Sequence, residues 1–136
     1  MVGPGGVRFP DDLEKRAFRA GNGELGWTRQ DARAAISVLE DGQRAILGGE
    51  LWWVPEGETQ WTGIIPQRVG HPAVYHWETE REPGEAWPAY VHRCGLESLQ
   101  AVDALPGSDD LPTDLSGSIL YNLTWVSEAE FLNLDR

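Results

Sequence analysis

The stretch TRQDARAAISVLEDGQRAILGGELWWV, residues 28–54, decides the fold class because the spacing of its apolar residues changes midway. In the first half, apolar residues recur at intervals of three and four, which places them on one face of a helix. These residues are Ala32, Ala35, Ile36 and Leu39. Over residues 45–53 the interval falls to two, the period of a half-buried strand. A helix that leads directly into a strand predicts a mixed α and β domain.

The two ends of this helix carry signals of their own. Thr28 suits the N-cap, and Asp31 follows three residues later, close to the pattern of a capping box. Gly42 stands where a residue in the left-handed conformation would end the helix. The helix is therefore predicted to begin after Thr28 and to end at Gly42.

The strand that follows is predicted to have two different faces. Its odd-numbered side chains are expected to point into the core, whereas Ile46, Glu50 and Trp52 point the other way. Gly48 and Gly49 stand together inside this strand, where glycine is unfavourable. Such a pair indicates a β-bulge or a close approach of another part of the backbone.

The residues before this stretch predict an arm and a short helix. Residues 1–10 contain three glycines and two prolines, and we expect them to form a flexible N-terminal arm. Residues 11–20, DDLEKRAFRA, carry a helical spacing of apolar residues and two candidate capping aspartates. The domain organisation predicted from the chain is thus an arm over 1–10 and one α+β domain over 11–136.

The rest of the chain predicts three further strands and a long helix. The strands are expected over residues 60–65, 73–81 and 118–126. The helix is expected over 85–105, where Arg93 and Glu97 are spaced to form an ion pair. The element order is then α-α-β-β-β-α-β. It predicts an α+β fold in which helices pack against a three- to four-stranded sheet.

Composition limits the kinds of partner. The 136 residues include seven tryptophans and carry a formal charge of −11, from 22 acidic and 11 basic residues. Nucleic acid requires a basic footprint, so we expect no nucleic-acid partner. A basic protein partner fits this charge, and an excess of tryptophan is typical of binding surfaces. One cysteine and three histidines do not suit a structural zinc site, and we expect neither a metal nor a cofactor.

The chain also lacks the sequence signals of export and membrane insertion. No apolar run approaches the roughly 18 residues of a membrane span. The first residues do not have the pattern of a signal peptide. We therefore expect a cytoplasmic protein of bacterial type that does not associate with a membrane.

Catalytic motifs are scarce. The chain has no phosphate-binding glycine loop, no HExxH helix and no GxSxG turn. Cys94 and His92 lie two apart on a helix and therefore on different faces. His76 beside Glu78 would permit proton transfer, and the pair Glu78 and Glu80 could support glycoside hydrolysis in a cleft. We favour a binding protein without catalytic activity, and keep as the alternative a small enzyme or carbohydrate- or small-molecule-binding module on a tryptophan-rich acidic face.

The predicted binding surface is the face of the sheet turned away from the core. Aromatic side chains there would supply contact area, and carboxylates would attract and pair with arginine. The candidate contact residues are Glu50, Trp52, Trp61, His76, Glu78 and Glu80. In a second interpretation, a helix such as 11–20 covers these aromatic residues. The polar, acidic loop 106–117 is a second candidate surface.

Three motifs, taken in order, resemble the immunity protein 40 family of bacterial polymorphic toxin systems. The family opens with a Gly-Trp-Ser/Thr-x-x-Asp-Ala helix, continues into a strand with a Gly-Gly-acidic motif, and later has two tryptophans and a tyrosine that begins a helix. The matching positions are Gly26, Trp27, Thr28, Asp31, Ala32, Leu47, Gly48, Gly49, Glu50, Trp77, Trp87 and Tyr90. The resemblance spans about residues 24–105. Glu50 stands where the family has Asp, and GHPAVYHW replaces a Pro-Thr-Tyr-like stretch.

The resemblance implies an inhibitor rather than an enzyme. Such a protein binds a cognate toxin domain and neutralises it by stoichiometric occlusion. A basic nuclease is one toxin that would suit the acidic charge, because carboxylates can attract a surface that binds phosphates.

Overall fold

The computed structural model describes residues 7–66 and 73–134. Its helices are α1 (Asp11–Arg16), α2 (Arg29–Asp41), α3 (Trp87–Ala104) and α4 (Glu128–Leu132). Its strands are β1 (Phe18–Arg19), β2 (Leu25–Trp27), β3 (Ala45–Val54), β4 (Ile64–Ile65), β5 (Ala73–Val74), β6 (His76–Glu78) and β7 (Ser118–Val126). None of the helices in these two ranges is long and apolar enough to cross a bilayer.

The centre of the fold is a five-stranded antiparallel sheet in the order β1-β2-β7-β3-β6, with β4 and β5 as a separate two-stranded ribbon. Helices α2 and α3 pack against each other and against β3 and β7, so they cover one face, which we call the inner face. The opposite face is the outer face. The α+β class is therefore confirmed, although the sheet has five strands rather than three or four because β1 and β2 extend it.

The core lies between the inner face and the two long helices. On β7, alternate residues face it, as the sequence predicts. These are Ile119, Tyr121, Leu123 and Trp125. The predicted stripe of α2 is buried at all four positions, and Thr28 caps that helix by accepting a hydrogen bond from the Asp31 N–H at 3.3 Å.

A β-bulge in β3 changes which side chains enter the core. Ile46 pairs with Trp125, whereas Gly48 pairs with Thr124, so the register shifts between these two positions. The extra residue keeps Ile46 on the inner side, where it is fully buried. The expectation that Ile46 faces away from the core is therefore wrong, while the predicted irregularity at the glycine pair is confirmed.

Both glycines are required by close approaches. A Cβ on Gly48 would lie 2.1 Å from the Trp77 carbonyl oxygen, and Gly48 has a φ of +155°. A Cβ on Gly49 would lie 2.2 Å from the Asn122 carbonyl oxygen and 2.4 Å from the Trp77 indole. Neighbouring strands can thus approach β3 here only because it carries no side chains.

The N-terminal predictions need correction. The helix ends at Arg16 rather than at residue 20, because Phe18 and Arg19 pair with β2 as strand β1. Residues 1–6 of the predicted arm lie outside the described residues. Residues 7–10 are not a loose arm, because Val7 and Phe9 are buried in the core. Phe9 packs edge-on against Trp27 and Trp125, with ring centroids 5.2 and 5.6 Å away.

Two predicted strands are shorter than expected. Within residues 60–65, only Ile64–Ile65 forms a strand, and Thr62 adds a single bridge to Trp53. Within 73–81 the strand divides into β5 and β6 and ends at Glu78. Just after it, the Thr79 hydroxyl donates a 2.6 Å hydrogen bond to the Ile46 carbonyl.

The end of α2 also differs from the prediction. Gly42 has a φ of −84°, so it is not in the left-handed conformation. Gln43 takes that conformation instead, with a φ of 56°. The chain therefore reverses one residue later than expected.

We predict that Gly49→Ala strongly destabilises the fold, because the new methyl group would overlap the Asn122 carbonyl and the Trp77 ring. Overpacking typically costs about 1–3 kcal/mol in free energy of unfolding, and we expect a cost near the upper end because a backbone carbonyl cannot move aside easily. Gly21→Ala is the matched control, since its Cβ would meet nothing within 4 Å. Urea denaturation measures both, and equal stability of the two variants would contradict the close approach.

Candidate functional site

The register of the sheet sorts the outer face into rows of neighbouring residues. One row runs from His76 through Glu50 and Asn122 to Gly26. The row beside it contains Glu78, Gly48 and Thr124. On the other side of the first row lie Trp52 and Leu120. The outer face therefore has a polar, acidic end and an aromatic end that meet at Glu50.

The acidic end is an open cleft of about 580 Å³, which we call the acidic cleft. Its lining residues come from β3, β6 and β7, from Thr79 just after β6, and from the turn before β2. The polar ones on the outer face are Glu24, Glu50, His76, Glu78, Asn122 and Thr124. Within residues 7–66 and 73–134, neither lysine nor arginine lines it. In this part of the chain, the cleft thus gathers three carboxylates without a compensating cation.

Hydrogen bonds leave most of the carboxylate oxygens in the cleft available. Glu50 accepts one bond at Oε1, from the Trp52 indole N–H at 2.9 Å, and Glu24 accepts one at Oε2 from Asn22 at 3.1 Å. Within the described residues, the side chains of His76 and Glu78 make no hydrogen bond or ion pair. Free carboxylate oxygens of this kind can accept charge-assisted hydrogen bonds from a ligand.

Carboxylates elsewhere in the described part of the chain are often paired. Asp31 receives two hydrogen bonds from Arg16, at 2.9 and 3.0 Å, and Glu85 receives two from Arg93. Further ion pairs join Arg19 to Glu14, Arg33 to Asp103, and Arg93 to Glu97. The predicted Arg93–Glu97 pair is thus confirmed, with a separation of 2.6 Å. The ion-paired arginines of the described residues thus lie away from the acidic cleft, and none of them compensates its negative charge.

The floor of the cleft is rigid. Asn122 is only 3% exposed, and its amide donates a 2.9 Å hydrogen bond to the Leu25 carbonyl on the neighbouring strand. Gly48 carries no side chain, which keeps the space between Glu78 and Thr124 open. Beneath it, the Trp77 indole N–H is fixed by a 3.2 Å hydrogen bond to Ser98 of α3.

The aromatic end is closed rather than exposed. Trp52 has no exposed surface and stacks on Trp61, with ring centroids 4.5 Å apart and an angle of 12° between the planes. Phe18 packs edge-on against Trp52, and Ala20 and Leu120 complete what we call the aromatic cluster. The expectation of an exposed aromatic patch is therefore wrong for Trp52. Trp52 is covered by Phe18 of β1, by Ala20 and by Trp61, not by a helix over residues 11–20.

The structure divides the six predicted contact residues into three groups. Glu50, His76 and Glu78 line the acidic cleft together. Trp52 and Trp61 belong to the aromatic cluster. Glu80 is exposed but lies outside the cleft, because the chain has left the sheet after Glu78.

Four residues that matter for this face were missed at the sequence level. Glu24, Asn122 and Thr124 line the cleft. Gly26 allows Trp52 to lie across β2, since a Cβ there would be 2.8 Å from the Trp52 ring. The GELGW stretch, residues 23–27, contains an alternation that fits a strand, but it is too short to be distinguished from a turn.

Arg93 holds the loop that follows β6 through hydrogen bonds. It donates hydrogen bonds to both carboxylate oxygens of Glu85, at 2.9 and 2.8 Å, and another to the Glu80 carbonyl. Its guanidinium also lies 5.4 Å from the centre of the Tyr90 ring. The direct hydrogen bonds from Arg93, aided by the Glu82 backbone N–H, lower the pKa of Glu85 to about 2. These hydrogen bonds of Arg93 fix the chain where it leaves the sheet after β6.

Of the groups considered for catalysis, His76 and Glu78 both line the acidic cleft, whereas Glu80, His92 and Cys94 do not. Cys94 is buried, its sulfur lies 3.2 Å from the Thr79 hydroxyl, and burial raises the pKa of its thiol. His92 instead pairs with Glu40 on the helical side, 3.1 Å away. In the part of the chain that the structure describes, no group of three or more His, Cys, Asp or Glu side chains is placed to hold a metal ion.

The loop 106–117 lies apart from the cleft and is tied to the core. The Tyr121 hydroxyl donates a 2.7 Å hydrogen bond to the Pro106 carbonyl, and the Ile119 N–H donates to the Ser108 hydroxyl at 2.9 Å. Leu111, a residue of this loop, is buried in the core. None of its residues lines the acidic cleft, so the two candidate surfaces are separate.

Comparison with protein-family models, curated proteins and solved structures gave no match for this chain. The resemblance to the immunity protein 40 family therefore stays a prediction.

We predict that Trp52→Ala lowers the free energy of unfolding by about 3–5 kcal/mol, the usual cost of removing a buried aromatic side chain. Trp61→Ala removes the outer partner of the stacked pair and should cost about 1 kcal/mol. Urea denaturation of both variants checks this order. A Trp52→Ala variant as stable as Trp61→Ala would show that Trp52 is not buried.

We also predict that NMR titration of the Glu85 carboxyl gives a pKa of about 2. Because this pKa is below the ordinary 4.5, the pair with Arg93 stabilises the fold above about pH 4.5, and that contribution is lost as the pH falls towards 2. Arg93→Gln should return the pKa of Glu85 towards its ordinary value. The pKa of Glu130, lowered by its bonds to Ser127, should not change in that variant.

Proposed function

We propose that this chain is an immunity protein that binds a cognate toxin domain through the acidic cleft and neutralises it by stoichiometric occlusion. The observation that carries the proposal is the group of three carboxylates around one open cleft, which no described lysine or arginine lines. Leaving like charges together without partners costs stability, so their arrangement is best explained by a positively charged ligand. The family resemblance supports the same class of function independently.

Electrostatics would favour rapid capture of such a toxin. A net charge of −11 attracts a basic protein over distances longer than a direct contact, and this raises the association rate at low salt. A basic nuclease is the toxin class that best suits this surface, because carboxylates can occupy sites that otherwise bind phosphates. The action we propose is cytoplasmic, where a buried free thiol such as Cys94 remains reduced.

The alternative of a carbohydrate- or small-molecule-binding module or small enzyme is less well supported. That alternative needs exposed aromatic rings on which a ligand can stack. Trp52 is fully buried, and Trp61 is stacked against it on one side. We therefore propose protein binding without a catalytic step.

The test is capture of the partner from an extract of the native organism with the tagged chain, followed by measurement of Kd for the captured protein. Glu50→Gln together with Glu78→Gln should weaken binding at least about tenfold, or about 1.4 kcal/mol. Asp109→Asn with Asp114→Asn is the matched control, because it removes the same charge from the loop 106–117. This control should bind nearly as well as the unaltered chain.

Two results would contradict the proposal. One is a larger loss of affinity in the loop variant than in the cleft variant, which would move the site to the second candidate surface. The other is an association rate that does not change between low and physiological salt, since steering by exposed charge is screened over about 8 Å at physiological ionic strength.

A further inference from the structure

Strand β6 forms one edge of the five-stranded sheet and borders the acidic cleft. The backbone hydrogen bonds at its two ends, together with the register, determine which of its residues bond to β3. Leu51 donates to the Tyr75 carbonyl at 3.0 Å, and Thr79 donates to the Leu47 carbonyl at 2.9 Å. Since bonded and non-bonded pairs alternate along an antiparallel ladder, the backbone N–H and C=O groups of His76 and Glu78 point away from β3.

Those outward groups have no partner in the described residues. The backbone hydrogen bonds outside helices and strands include none from His76 or Glu78. Their side chains belong to the outer face, where they line the acidic cleft. At His76 and Glu78 this edge therefore offers backbone donors and acceptors, together with an imidazole and a carboxylate side chain.

We propose that the edge of β6 binds an extended, basic segment of the partner as an added antiparallel strand. Residues of that segment opposite His76 and Glu78 would share backbone hydrogen bonds with them and direct their side chains to the outer face. Lysine or arginine at those alternate positions would lie beside Glu78, and only strand β6 would separate them from Glu50 on β3. The choice of a basic partner rests on the proposed function, whereas the open edge does not.

Charge decides which occupant suits this edge. Short length and charged side chains normally protect an edge strand against unwanted pairing. Here the charge on the bordering cleft is negative, so it disfavours neutral and acidic strands but attracts a basic one. A second copy of this chain is disfavoured because it would bring another net charge of −11 to the same edge.

The first test uses a blocked eight-residue peptide of alternating lysine and threonine, titrated into the full chain by calorimetry at low salt. In the proposed pairing, the lysine N–H groups face β6 and the threonine N–H groups face away. Methylation of the lysine backbone nitrogens should therefore weaken binding at least tenfold, while methylation of the threonine nitrogens leaves the affinity within about twofold. Equal affinity of the two methylated peptides would overturn strand addition.

The second test changes the chain. Glu78→Pro removes the outward N–H together with the charge, and proline is tolerated at an edge where that N–H faces solvent. Glu78→Gln removes the charge alone. The proline variant should bind the peptide at least tenfold more weakly than the glutamine variant, and similar affinities of the two would count against the proposal. Should the proline variant fail to fold, as judged by near-UV circular dichroism, the methylated peptides decide.

The outcomes separate this inference from the proposed function. All the peptides could bind with the same affinity, and the double variant Glu50→Gln with Glu78→Gln could weaken that binding. This result would support a basic ligand at the cleft and contradict its binding as an added strand. No binding of any of them at low salt would reject strand addition by a basic segment, while capture of a partner through the cleft would still stand or fall by its own experiment. A chain that dimerises without peptide, and loses its dimer in Glu78→Pro, would show that a second copy occupies the edge.

Discussion

The approach of Trp77 to the glycine pair of β3 is the constraint on which the outer face depends. The Trp77 carbonyl and indole occupy space that a Cβ on Gly48 or Gly49 would need. This contact brings β6 against β3 in a single register, which pairs Gly48 with Glu78 and Glu50 with His76. The same missing side chains leave the acidic cleft open. One local feature of the sequence thus sets both the strand pairing and the shape of the site.

The aromatic and acidic ends of the outer face are connected through Glu50. Its carboxylate accepts a hydrogen bond from the Trp52 indole, so the buried aromatic cluster holds one side of the cleft in place. The other side is held by Arg93, which fixes the chain just beyond β6. Two of the three carboxylates that carry the proposal, Glu50 and Glu78, therefore lie on strands, while Glu24 lies in the turn before β2. A site built on strands needs little reordering on binding, which favours affinity.

Much of the fold was predictable because long periodic segments dominate it. The α2 stripe, the Thr28 cap and the alternation of β7 follow from local spacing alone. The short strands β1 and β2 were not predictable, because two or three residues give no measurable period. In addition, pairing with β2 overrides the helical tendency of residues 17–20. For the same reason Trp52 was expected to be exposed. Its burial depends on Gly26 and Phe18, which are distant in sequence. Glu50, His76 and Glu78 were placed together correctly by the period of two.

The central claim is that a partner binds the acidic cleft rather than the helical side or the loop 106–117. Amide hydrogen exchange of the chain, read by mass spectrometry with and without the captured partner, tests it most directly. Our account predicts slower exchange concentrated in residues 48–50, 76–78 and 122–124. Unchanged exchange there, with slowing confined to α2, α3 or the loop 106–117, would contradict it.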